Sequence, residues 1–411
     1  MCGQTRPGKG NELTFLLICD EWSPTAGGIS RFNRSLATAL AAAGHRVLCL
    51  VLSASQKELD DAESRGVELV TAVRTPAGPV LYVCVQVAID AKPDVVIGHD
   101  LVSGSVAWAY ARNYLKGAKF VLVVHTAHSQ NEPYKRPGEA TRRTERCERE
   151  IREIAAHADV IAAVGPRLVR RAQAVVGDGF GGVGVLRLDP GIDLPGGHAE
   201  PRRQVPPNAT VMMLGRTSHV ETKGLDIAAR AIAGLAVRHG MSEPELLIRG
   251  APADRCDTLR DELVRMSGAA RDQIDVRPFT DDLDLIAHDF RRAALCVMPS
   301  RVEGFGLSAL EAIGLGTPVL VSSKSGLAEL LRSHLGPTAE PMIVKIHDDE
   351  SDVPRWTKAI QRVLDDLPAQ FDYVREVRDK LSRVLNWTAT VDSLLETLAA
   401  VPERLRVART S

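Results

Sequence analysis

Short apolar runs alternate along this chain with amphipathic stretches. In the first half the apolar runs are LTFLLIC, HRVLCLVL, VELVTAV, PDVVIGH, KFVLVVH and DVIAAVG. Continuous Val, Ile and Leu are typical of parallel strands that are covered on both faces. The stretches between them read as helices, including one from about Ser30 to Ala43 and one over SGSVAWAYARNYL. This alternation predicts a doubly wound α/β domain.

The same alternation begins again after a Pro- and Gly-rich segment, LDPGIDLPGGHAEPRRQVPPNAT, which can hold neither a long helix nor a central strand. Strands are then predicted over TVMMLGR, ELLIRGA, IDVRPF, LCVMPS and TPVLVSS, with helices from Gly224 to about Gly240 and near Asp261. We therefore predict two Rossmann-like, doubly wound parallel-sheet domains, with a boundary at about residue 195. The first covers 1–195 and the second covers 196–385.

Composition narrows the class of protein. The chain has 411 residues, 25% of them charged, and a formal net charge of −1, so no strong field favours nucleic acid or an anionic membrane. Seven scattered cysteines without CxxC spacing predict buried thiols in a reducing compartment. No apolar run approaches the roughly 20 residues of a membrane span, and the first residues lack the apolar core of a signal peptide. We expect a cytoplasmic protein; contact with a membrane surface and a homodimer both stay open.

The strongest chemical signal is SRVEGFGLSALEAIGLGTPVLVSS. A strand leads into a loop with Glu303, Gly304 and Gly306, and a helix follows from about Leu307 or Ser308, with Glu311 expected in its first turn. Unpaired N–H groups and the positive end of the dipole make a helix start suitable for phosphate. In open α/β folds, ligands bind at this carboxyl edge of the sheet. The alternative is that Glu311 merely complements the dipole and Glu303 is a loop charge.

A second strand-to-helix loop, LGRTSHVETKGLD, carries Arg216 and Lys223. A planar guanidinium and a point charge together suit a diphosphate. Both could instead be solvated loop cations.

The first strand leads into Gly27 and Gly28, a pair suited to close backbone contact with phosphate or sugar. The segment lacks GxGxxG and GK[ST], which disfavours dinucleotide binding and a P-loop. His125 emerges at the end of another buried strand, where it could meet a sugar hydroxyl or be structural.

Metal binding is not predicted. His99, His125 and His128 have no carboxylate at a convincing ligand spacing. Asp282 and Asp284 form a DxD string, but such strings are common by chance and this one lies at an acidic helix start.

Taken together, these segments resemble the retaining, nucleotide-sugar-dependent glycosyltransferases of family 4, which have the GT-B fold. Glu303 and Glu311 resemble the family's E-x7-E motif, Arg216 and Lys223 its diphosphate-binding pair, and Gly27–Gly28 its first glycine loop. LDPGID resembles the segment before the interdomain linker, with Pro190 in place of the usual Asn. NWTATVDSLL, with Asn386 as a predicted N-cap, resembles the closing segment, which implies that residues from about 386 to 411 cross back to the first domain.

The resemblance also implies roles for individual residues. Glu311 would bind the ribose, Glu303 and His125 the transferred sugar, and the N–H groups of Phe305, Gly306 and Leu307 phosphate or sugar. The stretch Arg277, Pro278 and Phe279 lies where the base usually meets backbone. The implied partners are a nucleotide diphosphate sugar (UDP or GDP) and a small-molecule acceptor such as a polyol, thiol or natural-product intermediate, with no cofactor or metal. YKRPGEATRRTERCERE is a candidate lid or acceptor wall.

Two alternatives remain at this point. One is another enzyme on the same fold, such as a nucleotide-sugar epimerase or a phosphorylase, because fold alone does not fix chemistry. The other is a non-catalytic protein that binds nucleotide sugars.

Overall fold

The structure is a computed structural model that describes residues 12–23, 27–135, 137–177, 184–192, 205–207, 209–217, 219–235 and 243–401. The predicted domain boundary near residue 195 lies outside these ranges. Among the described residues, no helix combines the length and apolar character needed to cross a bilayer.

Two parallel sheets organise the chain, as the apolar runs predict. The first has seven strands in the order β3-β2-β1-β6-β7-β8-β9, and a separate antiparallel hairpin joins β4 and β5. The strands of this half are Thr14–Ile18 (β1), Arg46–Val51 (β2), Val67–Thr71 (β3), Val73–Thr75 (β4), Gly78–Val80 (β5), Val95–His99 (β6), Lys119–Val124 (β7), Val160–Val164 (β8) and Leu186–Leu188 (β9). Its helices are Gly28–Ala42 (α1), Gln56–Ser64 (α2), Gln86–Asp90 (α3), Val102–Asn113 (α4), His128–Lys135 (α5), Ala140–Ala155 (α6) and Gly165–Val176 (α7).

The second sheet has six parallel strands in the order β12-β11-β10-β13-β14-β15. These strands are Thr210–Leu214 (β10), Glu245–Ala251 (β11), Ile274–Pro278 (β12), Leu295–Met298 (β13), Val319–Ser322 (β14) and Ile343–Val344 (β15). The helices are Val220–Lys223 (α8), Leu225–Ala233 (α9), Cys256–Ser267 (α10), Leu283–Arg292 (α11), Leu307–Gly314 (α12), Gly326–Leu335 (α13), Asp352–Asp365 (α14), Leu367–Leu381 (α15) and Trp387–Ala400 (α16).

A short hairpin and the end of one helix differ from the sequence prediction. The hairpin β4–β5 was not predicted, because its strands have three residues each and are too short to show a period. The helix predicted from Gly224 to about Gly240 ends at Ala233, where Gly234 takes the C-cap position. Glycine is unfavourable inside a helix, so the helix ends before Gly234 and is shorter than predicted.

The cores of the two domains are continuous on one side. Buried side chains from the first sheet pack with those on the facing side of the second, including Met212, Phe305 and Leu310. The other side of the second sheet forms its own core around Trp356. Six cysteines are described; all are free thiols, and Cys19, Cys49, Cys147 and Cys296 are buried, as predicted.

The last helix returns to the first domain, as the family resemblance implies. α16 packs against α1 and β9. Thr390 Oγ1 donates to the carbonyl of Asp189 at 2.5 Å, and Lys119 Nζ donates to the carbonyl of Leu398 at 2.7 Å. A cation at a helix C-terminus satisfies carbonyls that lack intrahelical partners. The first domain thus holds both ends of α16.

Asn386 caps α16, and this cap gives a stability prediction. Its Oδ1 accepts a hydrogen bond from the Ala389 N–H at 2.8 Å. Replacing Asn386 by Ala leaves that N–H without its acceptor, so we expect the free energy of unfolding to fall by about 1 kcal/mol. Urea denaturation followed by circular dichroism measures this change. Asn386→Asp is the matched control, since it keeps an acceptor, and equal losses in the two variants would contradict the capping role.

Candidate active site

The candidate site is a cleft between the carboxyl edges of the two sheets. In each sheet the strand order reverses next to the first strand of the domain, between β1 and β6 and between β10 and β13. The loops after β1, β10 and β13 therefore leave the sheets at these switch points, where open α/β folds bind ligands. The predicted glycine pair, the Arg–Lys pair and the E-x7-E motif lie on these three loops and on the helices that follow them.

Glu303 and Lys223 meet directly. Lys223 Nζ lies 2.7 Å from Glu303 Oε2, and Ser300 Oγ donates to the same oxygen at 3.2 Å. Both charged side chains are only partly exposed, at 35% for Lys223 and 16% for Glu303. The E-x7-E motif and the cationic loop, 80 residues apart in sequence, thus share one site.

A glycine lets the Lys223 loop come this close. Gly224 has φ +69°, and a Cβ there would lie 2.1 Å from the carbonyl oxygen of Pro299, just before the Glu303 loop. Any side chain would push the two loops apart. The Lys-Gly sequence therefore combines the cation with the close contact that positions it.

The loop after Glu303 faces the first domain. A Cβ on Gly304 would lie 2.7 Å from the carbonyl oxygen of His125, and a Cβ on Gly165 would lie 2.6 Å from the Phe305 ring. Gly306, with φ +109°, is the N-cap of α12, and no side chain caps this helix. The helix start keeps the backbone donors that the sequence predicts for phosphate.

Arg216 belongs to the second domain but reaches the first. It follows Gly215 after β10 and is exposed. A Cβ on Gly27, which has φ +125°, would lie 3.0 Å from Arg216 Nε, and one on Gly28 would lie 3.4 Å from Leu307. The predicted glycine pair thus lies against both the predicted diphosphate-binding arginine and the α12 start.

Glu311 differs from its predicted placement in the helix. It lies in the second turn of α12, because the helix begins at Leu307 and its first turn contains no acidic residue. Its side chain is 9% exposed and pairs with Arg31 of α1, whose Nε lies 2.6 Å from Glu311 Oε1. The sequence does not single out Arg31, because it lies on the same helix as Arg34, an arginine that pairs with Asp61 instead.

His125 follows β7, as predicted, and its backbone is held by Asp100. The carboxylate of Asp100 accepts from the His125 N–H at 2.8 Å and from Thr126 Oγ1 at 2.6 Å, and Asp100 itself has φ +45°. The His125 ring lies 2.9 Å from that of His99, nitrogen to nitrogen. Burial lowers the pKa of His125 to about 3 and that of His99 well below its usual value.

The predicted base-binding stretch lies at the end of β12, with its polar groups already engaged. The Arg277 guanidinium pairs with Asp275 and Asp289, at 2.7 and 2.9 Å. The Phe279 N–H donates to the carbonyl of Ala251 at 2.8 Å. A base would therefore meet carbonyls or side chains here rather than these donors, and the role of Arg277, Pro278 and Phe279 stays a prediction.

The remaining polar motifs have structural contacts. Asp282 is the N-cap of α11 and accepts from the N–H groups of Asp284 and Leu285. This explains the DxD string as a helix start, as the sequence suggested. The side chain of His128 lies outside the described residues.

Contacts at the rim hold the domains together. Glu329 on α13 pairs with Arg167 at 3.1 Å and with Arg170 at 2.7 Å, both on α7. On the other side, Tyr134 of α5 donates to Asp348 at 2.7 Å. The structure therefore shows the cleft in a closed arrangement.

Residues 16–394 match the model of a family described as family 4 glycosyltransferases in conflict systems. The match covers most of the chain. The chain belongs to this family. It is therefore a glycosyltransferase that uses a nucleotide sugar, with the GT-B fold, and the predicted family and fold are confirmed.

Among curated proteins, this glycosyltransferase is 29% identical over 317 residues to D-inositol 3-phosphate glycosyltransferase 1 of Catenulispora acidiphila, covering 74% of this chain and 71% of that one. It is 25% identical over 404 residues to a glycogen synthase of Mycobacterium tuberculosis, covering 91% of this chain and 92% of the other.

Solved structures show the same fold at low identity. Sucrose-phosphate synthase from Thermosynechococcus elongatus superposes with a TM-score of 0.69 at 20% identity, covering 95% of this chain and all of the other. HepE of Anabaena, in complex with UDP and glucose, superposes with a TM-score of 0.72 at 15% identity, covering 94% of this chain and all of the other.

The buried histidines give the glycosyltransferase a predictable pH dependence. An unfolded chain protonates His99 and His125 near the ordinary pKa of about 6.5, whereas the folded protein keeps both neutral well below it. The unfolded state then binds more protons, so the free energy of unfolding falls as the pH falls from 7 to 5. We expect about 2 kcal/mol of this loss from His125, and His99 acts in the same direction.

Urea denaturation of His125→Gln at both pH values isolates one contribution. The variant should lose about 2 kcal/mol less than the unaltered protein over this interval. His288→Gln, at an exposed position of α11, is the control for the effect of a His-to-Gln substitution itself. Identical dependence for His125→Gln and the unaltered protein would show that His125 titrates normally.

Proposed function

We propose that the protein moves a hexose-type sugar from a nucleoside diphosphate sugar, UDP- or GDP-linked, to a small-molecule acceptor, with retention at the anomeric carbon and without a metal. The observation that carries the proposal is the convergence at one cleft of Lys223, Glu303, the uncapped start of α12 and Arg216. Lys223 and Arg216 are cations, and the start of α12 adds backbone N–H donors. Together they suit a departing diphosphate.

We assign roles to the predicted residues that meet in this cleft. Arg216 and Lys223 bind the diphosphate, with the N–H groups of Phe305, Gly306 and Leu307 beside it. Glu303 holds the sugar, and its contact with Lys223 keeps it next to the leaving group. Gly27 and Gly28 let the first domain approach Arg216 and α12.

Glu311 is the proposed ribose ligand, and its present partner matters. Arg31 occupies one of its carboxylate oxygens. Ribose hydroxyls would have to share the carboxylate with this guanidinium or displace it. Because Arg31 belongs to the first domain and Glu311 to the second, donor binding at this residue is coupled to how the domains meet.

The charge distribution suits cleavage of a glycosyl–phosphate bond. Breaking the anomeric C–O bond creates an oxocarbenium-like carbon and leaves both bonding electrons on the diphosphate. Cations and amide donors that are already in place stabilise that developing charge. The acceptor oxygen then attacks from the same face, and the departing phosphate oxygen takes its proton, so no separate protein base is needed.

Removing either cation tests the roles of Arg216 and Lys223. Losing one preorganised donor typically raises the barrier by about 3–4 kcal/mol, so we expect kcat to fall by two to three orders of magnitude in Lys223→Ala and in Arg216→Ala. Release of nucleoside diphosphate from a panel of nucleotide sugars measures turnover. Lys358→Ala and Arg265→Ala remove exposed cations from α14 and α10 and should react at the unaltered rate. Unaltered turnover in either cleft variant, with thermal melts showing that it folds, would reject the assigned role.

The metal-free mechanism has its own test. Cations from the protein would do the work of a metal on the leaving group, so EDTA should leave the rate unchanged. The assay compares turnover before and after EDTA, and again after added Mn²⁺. Loss of activity with EDTA and recovery with Mn²⁺ would contradict the mechanism.

The donor nucleotide and the product separate this proposal from its alternatives. A ligand that binds only the folded state raises the melting temperature by mass action, so a thermal-shift screen of UDP, GDP and ADP ranks the nucleotides. A new glycoside together with free nucleoside diphosphate indicates transfer. Epimerised donor would indicate an epimerase, and binding without any turnover would indicate a sugar-binding protein.

A further inference from the structure

Three polar side chains form a hydrogen-bonded chain beneath the cleft. His99 Nε2 lies 2.8 Å from Asn33 Oδ1, and His99 Nδ1 lies 2.9 Å from His125 Nε2. Asn33 is fully buried and His99 is 2% exposed. This hydrogen-bonded series runs from α1 through the end of β6 to the residue after β7, and His125 is the one of the three that is not fully buried.

The direction of each hydrogen bond follows from the asparagine. Asn33 Nδ2 faces Cys49 Sγ at 3.3 Å, which leaves Oδ1 facing His99. An amide oxygen only accepts, so His99 Nε2 carries the hydrogen. A neutral imidazole has one N–H, so His99 Nδ1 accepts from His125 Nε2. His125 Nδ1 is then left with a lone pair and, within the part of the chain that the structure describes, no hydrogen-bond donor.

Both imidazole rings are neutral in these hydrogen bonds, and their surroundings favour the neutral form. Phe32 packs edge-on against both imidazoles, with ring centroids 6.4 Å from His99 and 5.1 Å from His125. The nearby carboxylate of Asp100 is bonded to the backbone of His125 and to Thr126 rather than to either ring. Burial among apolar groups lowers the pKa of both histidines, so neither imidazole is positively charged at neutral pH.

We propose that Asn33 and His99 are positioning residues that hold His125 as its Nε2–H tautomer, so that Nδ1 accepts a hydrogen bond from a hydroxyl of the transferred sugar. The second half of this statement rests on the proposed function. His125 lies beside the Glu303 loop, because its carbonyl packs against Gly304, the residue after Glu303. Asn33 and His99 do not touch the sugar and act only through His125.

The fixed tautomer has a consequence for specificity. The lone pair at Nδ1 can accept a hydrogen bond from a hydroxyl. It cannot bind a group that only accepts hydrogen bonds, because two acceptors would face each other without a hydrogen between them. A nucleotide sugar that carries hydrogen or fluorine in place of the contacted hydroxyl should therefore react more slowly. The opposite tautomer would reverse this preference.

Two variants test whether the direction of these hydrogen bonds matters, and not only their presence. Asn33→Leu removes the oxygen that fixes the His99 hydrogen, so both tautomers of the histidine pair become accessible. His99→Gln keeps the order, since its amide N–H can donate to Asn33 while its oxygen accepts from His125. His99→Gln should thus behave like the unaltered protein where Asn33→Leu does not.

Long-range ¹H–¹⁵N spectra of the histidine rings read the tautomer without any activity assay. His125→Gln identifies the His125 signals, and thermal melts establish that each variant folds. We expect an unprotonated Nδ1 for His125 in the unaltered protein and in His99→Gln, and proton density shared between both nitrogens in Asn33→Leu. A protonated His125 Nδ1 in the unaltered protein, or an unchanged tautomer in Asn33→Leu, overturns the proposal.

Kinetics then tests the sugar contact. We expect Asn33→Leu to lower kcat/KM for the donor about tenfold, the effect of one misplaced hydrogen bond, and His99→Gln to stay within about threefold of the unaltered protein. Binding of the free nucleoside diphosphate should not change, because His125 meets only the sugar. For a deoxy or fluoro nucleotide sugar that lacks the contacted hydroxyl, kcat/KM of the unaltered protein should fall by about the same factor. The Asn33→Leu substitution should lower it little further.

The two readouts keep the inferences distinct. An altered tautomer in Asn33→Leu with unaltered kinetics overturns the sugar contact. If the unaltered protein transfers no sugar from any donor, the proposed function fails, and with it the sugar contact, while the spectra still decide whether Asn33 and His99 fix the tautomer.

Discussion

The close approach of the two domains depends on positions where no side chain fits. A Cβ at Gly304 would strike the carbonyl of His125, one at Gly165 would strike the Phe305 ring, and one at Gly27 would crowd Arg216. Each contact joins one domain to the other at the carboxyl edge of a sheet. Side chains at these positions would hold the sheets apart, and the loops that carry charge could no longer share a ligand. Backbone sterics thus set the geometry in which the electrostatics operates.

Within that geometry, acidic side chains hold the cations or hydrogen-bond donors of neighbouring elements in place. Lys223 contacts Glu303, Arg31 contacts Glu311, and Asp348 receives Tyr134. The first pair lies within the second domain, and the other two cross the cleft. An unpaired charge in a partly buried cleft would be costly, so these contacts stabilise the closed cleft. In the proposed function, the phosphates and hydroxyls of a nucleotide sugar would replace some of these contacts.

The sequence predicted those parts of the fold and site that depend on local pattern. Continuous apolar runs located the strands, and glycines next to charges located the loops at the sheet edges, because both follow from the chemistry of neighbouring residues. Local sequence pattern does not indicate which side chains of distant elements pair with each other. Arg31 and Arg34 lie on the same helix and look alike, yet one pairs with Glu311 across the cleft and the other with Asp61 in its own domain. Nor could the sequence indicate that Asn33 orients His99, since their contact spans 66 residues and depends on how α1 lies against β6.

In the proposed reaction the two domains contribute different chemistry to one substrate. The second domain brings cations and helix amides, which match the negative diphosphate. The first brings a neutral imidazole, which matches an uncharged sugar. A protonated histidine next to the anomeric carbon would repel the positive charge that develops there, so the burial that keeps His125 neutral serves the same transition state as Arg216 and Lys223. Because neither domain supplies both parts, a nucleotide sugar bound to the second domain alone lacks the first domain's contact with its sugar. The chemistry then requires the cleft to close, as the glycines allow.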